Sequence, residues 1–166
     1  TDGTQDFNLD ETYKLVKTMF KDASNVEIIR EETHKAFQLL SQNYYDLIYI
    51  DACHQYEFVL RDLLLYSQIL SENGVIMLND SANTPVSHRQ NIGVRSAISE
   101  FLSREEGSEM RVSMICNGDT VLTRKKSIFH KSIGETACGS SLKYIELPCI
   151  IADKVCIKNN GRLAFC

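Results

Sequence analysis

No apolar run in this chain approaches the ~20 residues needed to span a bilayer, so no membrane segment is expected. No run of basic residues occurs either. With 18 Lys and Arg against 22 Asp and Glu the net charge is −4, which argues against nucleic acid as a partner. The six cysteines, at 53, 116, 138, 149, 156 and 166, fit no Cys-x-x-Cys or Cys/His zinc spacing. Scattered among apolar residues, they suit small core thiols in a reducing compartment, with disulfides among the last four left open. No phosphate loop or second pair of metal ligands is visible. Thr1–Asp10 is polar, so no secretory leader and a cytoplasmic location are expected.

What is present is an ordinary globular composition, 43% hydrophobic and 24% charged in 166 residues. That suits one domain, 1–166, with a core of its own. The informative stretch is Tyr45–Asp80. Two short apolar runs, Leu47–Ile50 and Val75–Leu78, flank one segment with helical apolar spacing. Such a strand–helix–strand unit implies parallel strands. Asp51, His54, Asn79 and Asp80 then fall just past the carboxyl ends of those strands. In open α/β sheets that edge is where ligands bind.

These residues carry a resemblance. Ile50-Asp51-x-x-His54-x-Tyr56, an Asp at 62, a helix and then Gly74-Val75-Ile76-x-Leu78-x-Asp80 resemble the second half of class I S-adenosylmethionine (SAM) methyltransferases. The type is that of the metal-dependent sugar and natural-product O-methyltransferases. The resemblance implies that Asp51, Asn79 and Asp80 hold a divalent cation, most simply magnesium, and that His54 acts as catalytic base beside Asp51. Asn79 stands where an acid is usual, although its carbonyl oxygen suits a hard cation.

Along the rest of the chain, Asn8 and Glu11 suit the start of a helix whose Leu9, Tyr13, Val16 and Phe20 share one face. Strands are expected at Val26–Arg30, Asp46–Asp51 and Gly74–Asn79, and helices at Lys35–Ser41, Gln55–Ser71 and Ile92–Arg104. Arg111–Cys116 and Thr120–Arg124 flank Asn117-Gly118-Asp119, a strong hairpin signal. This order matches the methyltransferase order through its last two strands.

The first strand and glycine-rich turn of that family do not precede Thr1, and no Gly-x-Gly triplet occurs. A counterpart stands at the other end. Ile128–Ile133 reads as a strand leading into Gly134-Glu135-Thr136-Ala137-Cys138-Gly139-Ser140-Ser141, similar to the family's first glycine motif. A helix interrupted at Pro148, a turn at Asn159-Asn160-Gly161 and a strand at Arg162–Cys166 follow. Joined to the start, that strand runs into Asp2. The resemblance then implies cofactor contacts from Gly134, Glu135, Gly139 and Ser140, an acid at Asp2 for the ribose, and Glu32 and Thr33 near the adenine. The expected fold is a Rossmann-like, doubly wound, mostly parallel α/β sheet with a terminal antiparallel hairpin, in circularly permuted order (1–126 before 128–166). A link of about three strand spacings, roughly 14 Å, is within reach of Lys125–Ser127 and its neighbours.

The function expected is SAM-dependent O-methylation of a small molecule such as a sugar or polyol. Two alternatives stay open: a SAM-fold binding module without catalysis, and a metal-dependent hydrolase. The expected partner is the small-molecule substrate, with homo-oligomerisation open. Tyr56 reads as packing, and Asp62 as a residue on the polar side of its helix, salt-bridged to a Lys or Arg.

Overall fold

The structure is a computed structural model that describes residues 9–40, 45–82, 92–116, 118–127, 155–158 and 163–165. Asp2, Gly134, Glu135, Gly139, Ser140 and the expected strand Ile128–Ile133 lie outside the described residues. The elements are α1 (Leu9–Met19), β1 (Val26–Ile28), α2 (Thr33–Leu39), β2 (Tyr45–Ile50), α3 (Tyr56–Tyr66), β3 (Leu70–Leu78), α4 (Val94–Ser103), β4 (Met110–Cys116), β5 (Asp119–Arg124), β6 (Val155–Lys158) and β7 (Leu163–Phe165).

Periodicity explains the helices. In α3, Val59, Leu60, Leu63 and Tyr66 recur at three- and four-residue steps and are buried. In α4 the buried set is Val94, Ala97, Ile98 and Phe101, one continuous stripe. The two stripes meet each other and the inner face of the sheet, where Tyr45, Ile48, Ile76, Leu78 and Leu122 complete the core. No helix among the described residues is long and apolar enough to cross a membrane.

The sheet has seven strands in the order β1-β7-β6-β2-β3-β5-β4. β1 and β7 are parallel, as are β2 and β3, whereas β5 and β6 each oppose both of their neighbours. Five strands (β1, β7, β2, β3 and β4) therefore share one direction. The result is a mixed α/β fold with the expected hairpin at one end. In that hairpin the second strand, β5, inserts between β3 and β4. Gly118 enters it at φ +97, a backbone conformation that favours glycine.

Two expectations are corrected. The sheet was expected to be mostly parallel apart from its terminal hairpin, including the place beside β2 on the side away from β3. That place is held by β6, which runs antiparallel, with Ile48 opposite Cys156. Val155–Lys158 is thus a strand, in a stretch where only a helix interrupted at Pro148 was expected. Val155 and Ile157 are β-branched, and pairing on both sides outweighs the local helical reading. The expected last strand does sit beside and parallel to β1, with Leu163 opposite Val26.

The second correction is at the end of α3. The helix stops at Tyr66, a single 3-10 turn follows at Ser67–Ile69, and β3 begins at Leu70. Arg124 holds this turn by donating to the carbonyls of Ser67 (3.3 Å) and Leu70 (3.2 Å). Gly74 lies where β3 is out of step with β2, between the Tyr45–Leu70 and Leu47–Val75 pairs. A Cβ there would stand 2.8 Å from the Tyr45 carbonyl oxygen, so the strands approach this closely only over a glycine.

Candidate functional site

β2 and β3 end together, Ile50 opposite Leu78, and release Asp51 and Asn79 side by side at one edge of the sheet. The Asn79 backbone N–H still donates to the Ile50 carbonyl at 3.0 Å, so the two chains part only after that bond. The Asn79 side-chain amide donates to Asp51 Oδ1 at 2.9 Å, which fixes that carboxylate. Asp80 then turns the chain in a left-handed conformation, φ 51, one that Asp tolerates better than most residues.

His54 lies on the turn from β2 into α3. Its carbonyl accepts the N–H of Gly93, the residue just before α4, at 2.8 Å. A Cβ on Gly93 would stand 2.5 Å from backbone and side-chain atoms of Tyr56, so glycine is required for this approach. The turn is held a second time by the Tyr56 hydroxyl, which donates to Glu100 of α4. Arg104 donates to the same carboxylate. That hydrogen bond to Tyr56, with Arg104 second, holds the Glu100 carboxyl below its usual range, and the Tyr56 hydroxyl is pushed up by the same contact.

The three side chains expected to form the site converge. His54 Nε2 is 3.4 Å from Asp51 Oδ1, and His54 Nδ1 is 4.0 Å from Asp80 Oδ2. The imidazole therefore stands between two carboxylates, one facing each nitrogen. The inner carboxylate is the more enclosed: side-chain exposure is 17% for Asp51, 24% for His54 and 55% for Asp80. Nε2 is shut off from solvent.

The cation site does not assemble in this arrangement. Asn79 turns its N–H, not its carbonyl oxygen, to Asp51. The His54 ring occupies the space between the Asp51 and Asp80 carboxylates. Among the described residues no three His, Cys, Asp or Glu side chains gather so as to hold a metal ion. As placed, Asp51, Asn79 and Asp80 do not fit the divalent ion.

Of the adenine-end candidates, Glu32 stays exposed just before α2, with Lys35 Nζ at 3.2 Å and His34 Nδ1 at 3.4 Å. The hydrogen bond from Lys35 holds its carboxyl below the usual range. Thr33 is buried, and its hydroxyl is committed inward. It donates to Asp62 Oδ1 at 2.6 Å and accepts from Arg61 at 3.0 Å. Asp62, expected on the polar side of its helix, is 1% exposed and faces α2. Cys53, expected in the core, is an exposed free thiol on the Asp51–His54 turn.

One acid at this edge was not foreseen. Asp119, the first residue of β5, accepts the backbone N–H of Asp80 and feels the charges of Asp80 and Asp51. Burial, the larger cause, and these charges push its carboxyl up, against the lowering effect of that N–H. The signal was available: Asn-Gly-Asp marks a tight turn, and in this strand order β5 lies next to β3.

With this geometry in view, comparison with known proteins adds two findings. Residues 4–81, which is 78 of the 166, match a family described as a methyltransferase domain. That span includes β2, the His54 turn, β3 and Asp80. The match covers just under half of the chain. A crystal structure of a protein from Corynebacterium glutamicum is similar to this chain with a TM-score of 0.55 at 17% identity. The similarity covers 69% of this chain and 56% of that one, and bears on the fold. The chain therefore spans just over half the length of that protein. No curated protein matches the sequence.

Proposed function

We propose that this protein is a SAM-dependent O-methyltransferase acting on a hydroxyl of a small molecule such as a sugar or polyol, with His54 as general base. The observation that carries the reading is the imidazole held between Asp51 and Asp80 at the carboxyl edge of parallel strands. The described residues suit SAM by placement. From β1, where Glu32 follows, to β2 the edge spans three strand spacings, about 14 Å, enough to lay an adenosyl group along it. Bound there, SAM supplies a methyl carbon made electrophilic by its sulfonium.

The chain's own residues supply alignment and proton removal. Asp51 is fixed by the Asn79 amide and faces the enclosed Nε2. A proton on Nε2 directed at Asp51 leaves Nδ1 as the basic nitrogen, on the side of the more exposed Asp80. The acceptor hydroxyl approaches Nδ1. As its oxygen attacks, the O–H proton would pass to Nδ1, and SAM bound there would supply the methyl group and keep the carbon–sulfur electron pair on its sulfur. The imidazolium so formed lies between two carboxylates, which stabilise it in the way a carboxylate stabilises the His of a hydrolase triad. Both carboxylates serve His54 in this scheme, so chelation of metal ions should leave activity unchanged.

The test is transfer of isotope-labelled methyl from SAM to a panel of sugars and polyols. His54→Ala should lower kcat by ~10²–10⁴ while SAM affinity stays the same. Unchanged kcat would remove His54 from the chemistry. SAM binding with no transfer to any acceptor would favour a binding module, whose sequence motive is Asn79 in place of an acid.

A further inference from the structure

We propose that Asp119 is a positioning residue, which sets the Asp80 carboxylate beside His54 by holding the backbone of the Asp80 turn. The inference rests on the reading of His54 as base.

The turn Asn79–Ser81 is built against its own preference. Asp80 has a positive φ, an arrangement that persists only when the surroundings fix it. On one side the Asn79 N–H is tied to Ile50. On the other, the ties among the described residues run to the start of β5. Ser81 donates its backbone N–H to the Gly118 carbonyl at 2.8 Å and its hydroxyl to the same oxygen at 2.6 Å. The Ser81 hydroxyl also lies 2.7 Å from Thr120 Oγ1. Between these anchors the Asp119 carboxylate accepts the N–H of Asp80 itself. Ser81 and Thr120 are buried, so water competes poorly for these bonds.

The hairpin tip is therefore a clamp on one residue. Gly118, at φ +97, turns its carbonyl toward Ser81, and Asp119 follows with a carboxylate instead of a neutral acceptor. Placing that half-buried carboxylate near the charges of Asp80 and Asp51 is unfavourable. What Asp119 provides is a charged acceptor for one N–H, roughly twice as strong as a neutral one. Asp80 is half-exposed and 4.0 Å from Nδ1, so small rotations of its backbone carry its carboxylate away from the ring.

Asp119→Asn keeps an acceptor oxygen, whereas Asp119→Ala removes it. Asp119→Ala should lower kcat about tenfold to a hundredfold, with SAM affinity unchanged, as expected for a misplaced catalytic group. Asp119→Asn should stay within about threefold of the parent, since it keeps an acceptor oxygen for the Asp80 N–H. In the His54→Ala background, Asp119→Ala should cost nothing further, because the two act as one unit. In NMR spectra of the intact chain, the His54 ring resonances should move in Asp119→Ala and stay in place in Asp119→Asn. Equal losses from both variants, an undiminished loss in the His54→Ala background, or unmoved ring resonances in Asp119→Ala would each overturn the proposal. Failure of the base reading is distinct: His54→Ala alone would then leave kcat intact.

Discussion

Asp119 also makes a prediction about pH, because its carboxyl is pushed up mainly by burial. A raised pKa in the folded chain means that the folded state holds the proton more tightly than the unfolded one. Stability from this group is thus fully present below the unfolded value, 3.8, and declines as pH rises through the window above it. Asp119→Asn removes the charge and keeps the acceptor, so it should raise Tm at pH 7. The gain should shrink as pH falls toward 3.8. A lower Tm at pH 7, or a gain independent of pH, would contradict this. At the same scale, the candidate site was legible in part. Asp51, His54 and Asp80 could be placed because each follows a strand end, and the structure brings them together. The pairing of Thr33 with Asp62 was not legible, because it joins two helices that no local pattern connects.

Among the elements, the junction of α2 with α3 rests on that buried pair. The Tyr66 hydroxyl adds a bond of 2.8 Å to the Thr33 carbonyl, and the Phe37 and Tyr66 rings meet edge to face at 5.8 Å. Thr33→Val leaves Asp62 without that donor in a buried position. It should cost about 1–3 kcal/mol in denaturant unfolding while SAM affinity changes little. A large loss of SAM affinity with unchanged stability would instead make Thr33 a ligand contact. The helices were readable because their apolar stripes are strong, as in α4, which buries Val94, Ala97, Ile98 and Phe101. β6 was not, since four residues are too few to show a period and their pairing with β2 is remote in sequence. The early stop of α3 escaped for a similar reason: Ser67–Ile69 continues the apolar pattern, and only Arg124 from β5 and the Gly74 approach fix the turn.

For the whole molecule, the strand order joins segments remote in sequence. β6 and β7 come last in the chain and yet fill the sheet between β1 and β2. Ile48 of β2 and Cys156 of β6 are direct antiparallel partners. Residues so paired have Cα atoms about 4.5–5.5 Å apart, within disulfide reach. Ile48→Cys should therefore cross-link to Cys156 under mild oxidation, seen as a linked peptide pair by mass spectrometry. Its absence, with Cys156 linking elsewhere, would contradict the central place of β6. The arrangement leaves the carboxyl ends of β1, β7, β2 and β3 along one edge, which is where Asp51, His54 and Asp80 gather and where a cofactor is proposed to lie. The most direct measurement of that claim is calorimetric titration of the intact chain with SAM, with and without a metal chelator. The account predicts saturable one-to-one binding that the chelator does not change. An absence of binding would contradict the cofactor assignment, and binding that the chelator abolishes would contradict the assignment of Asp51 and Asp80 to His54.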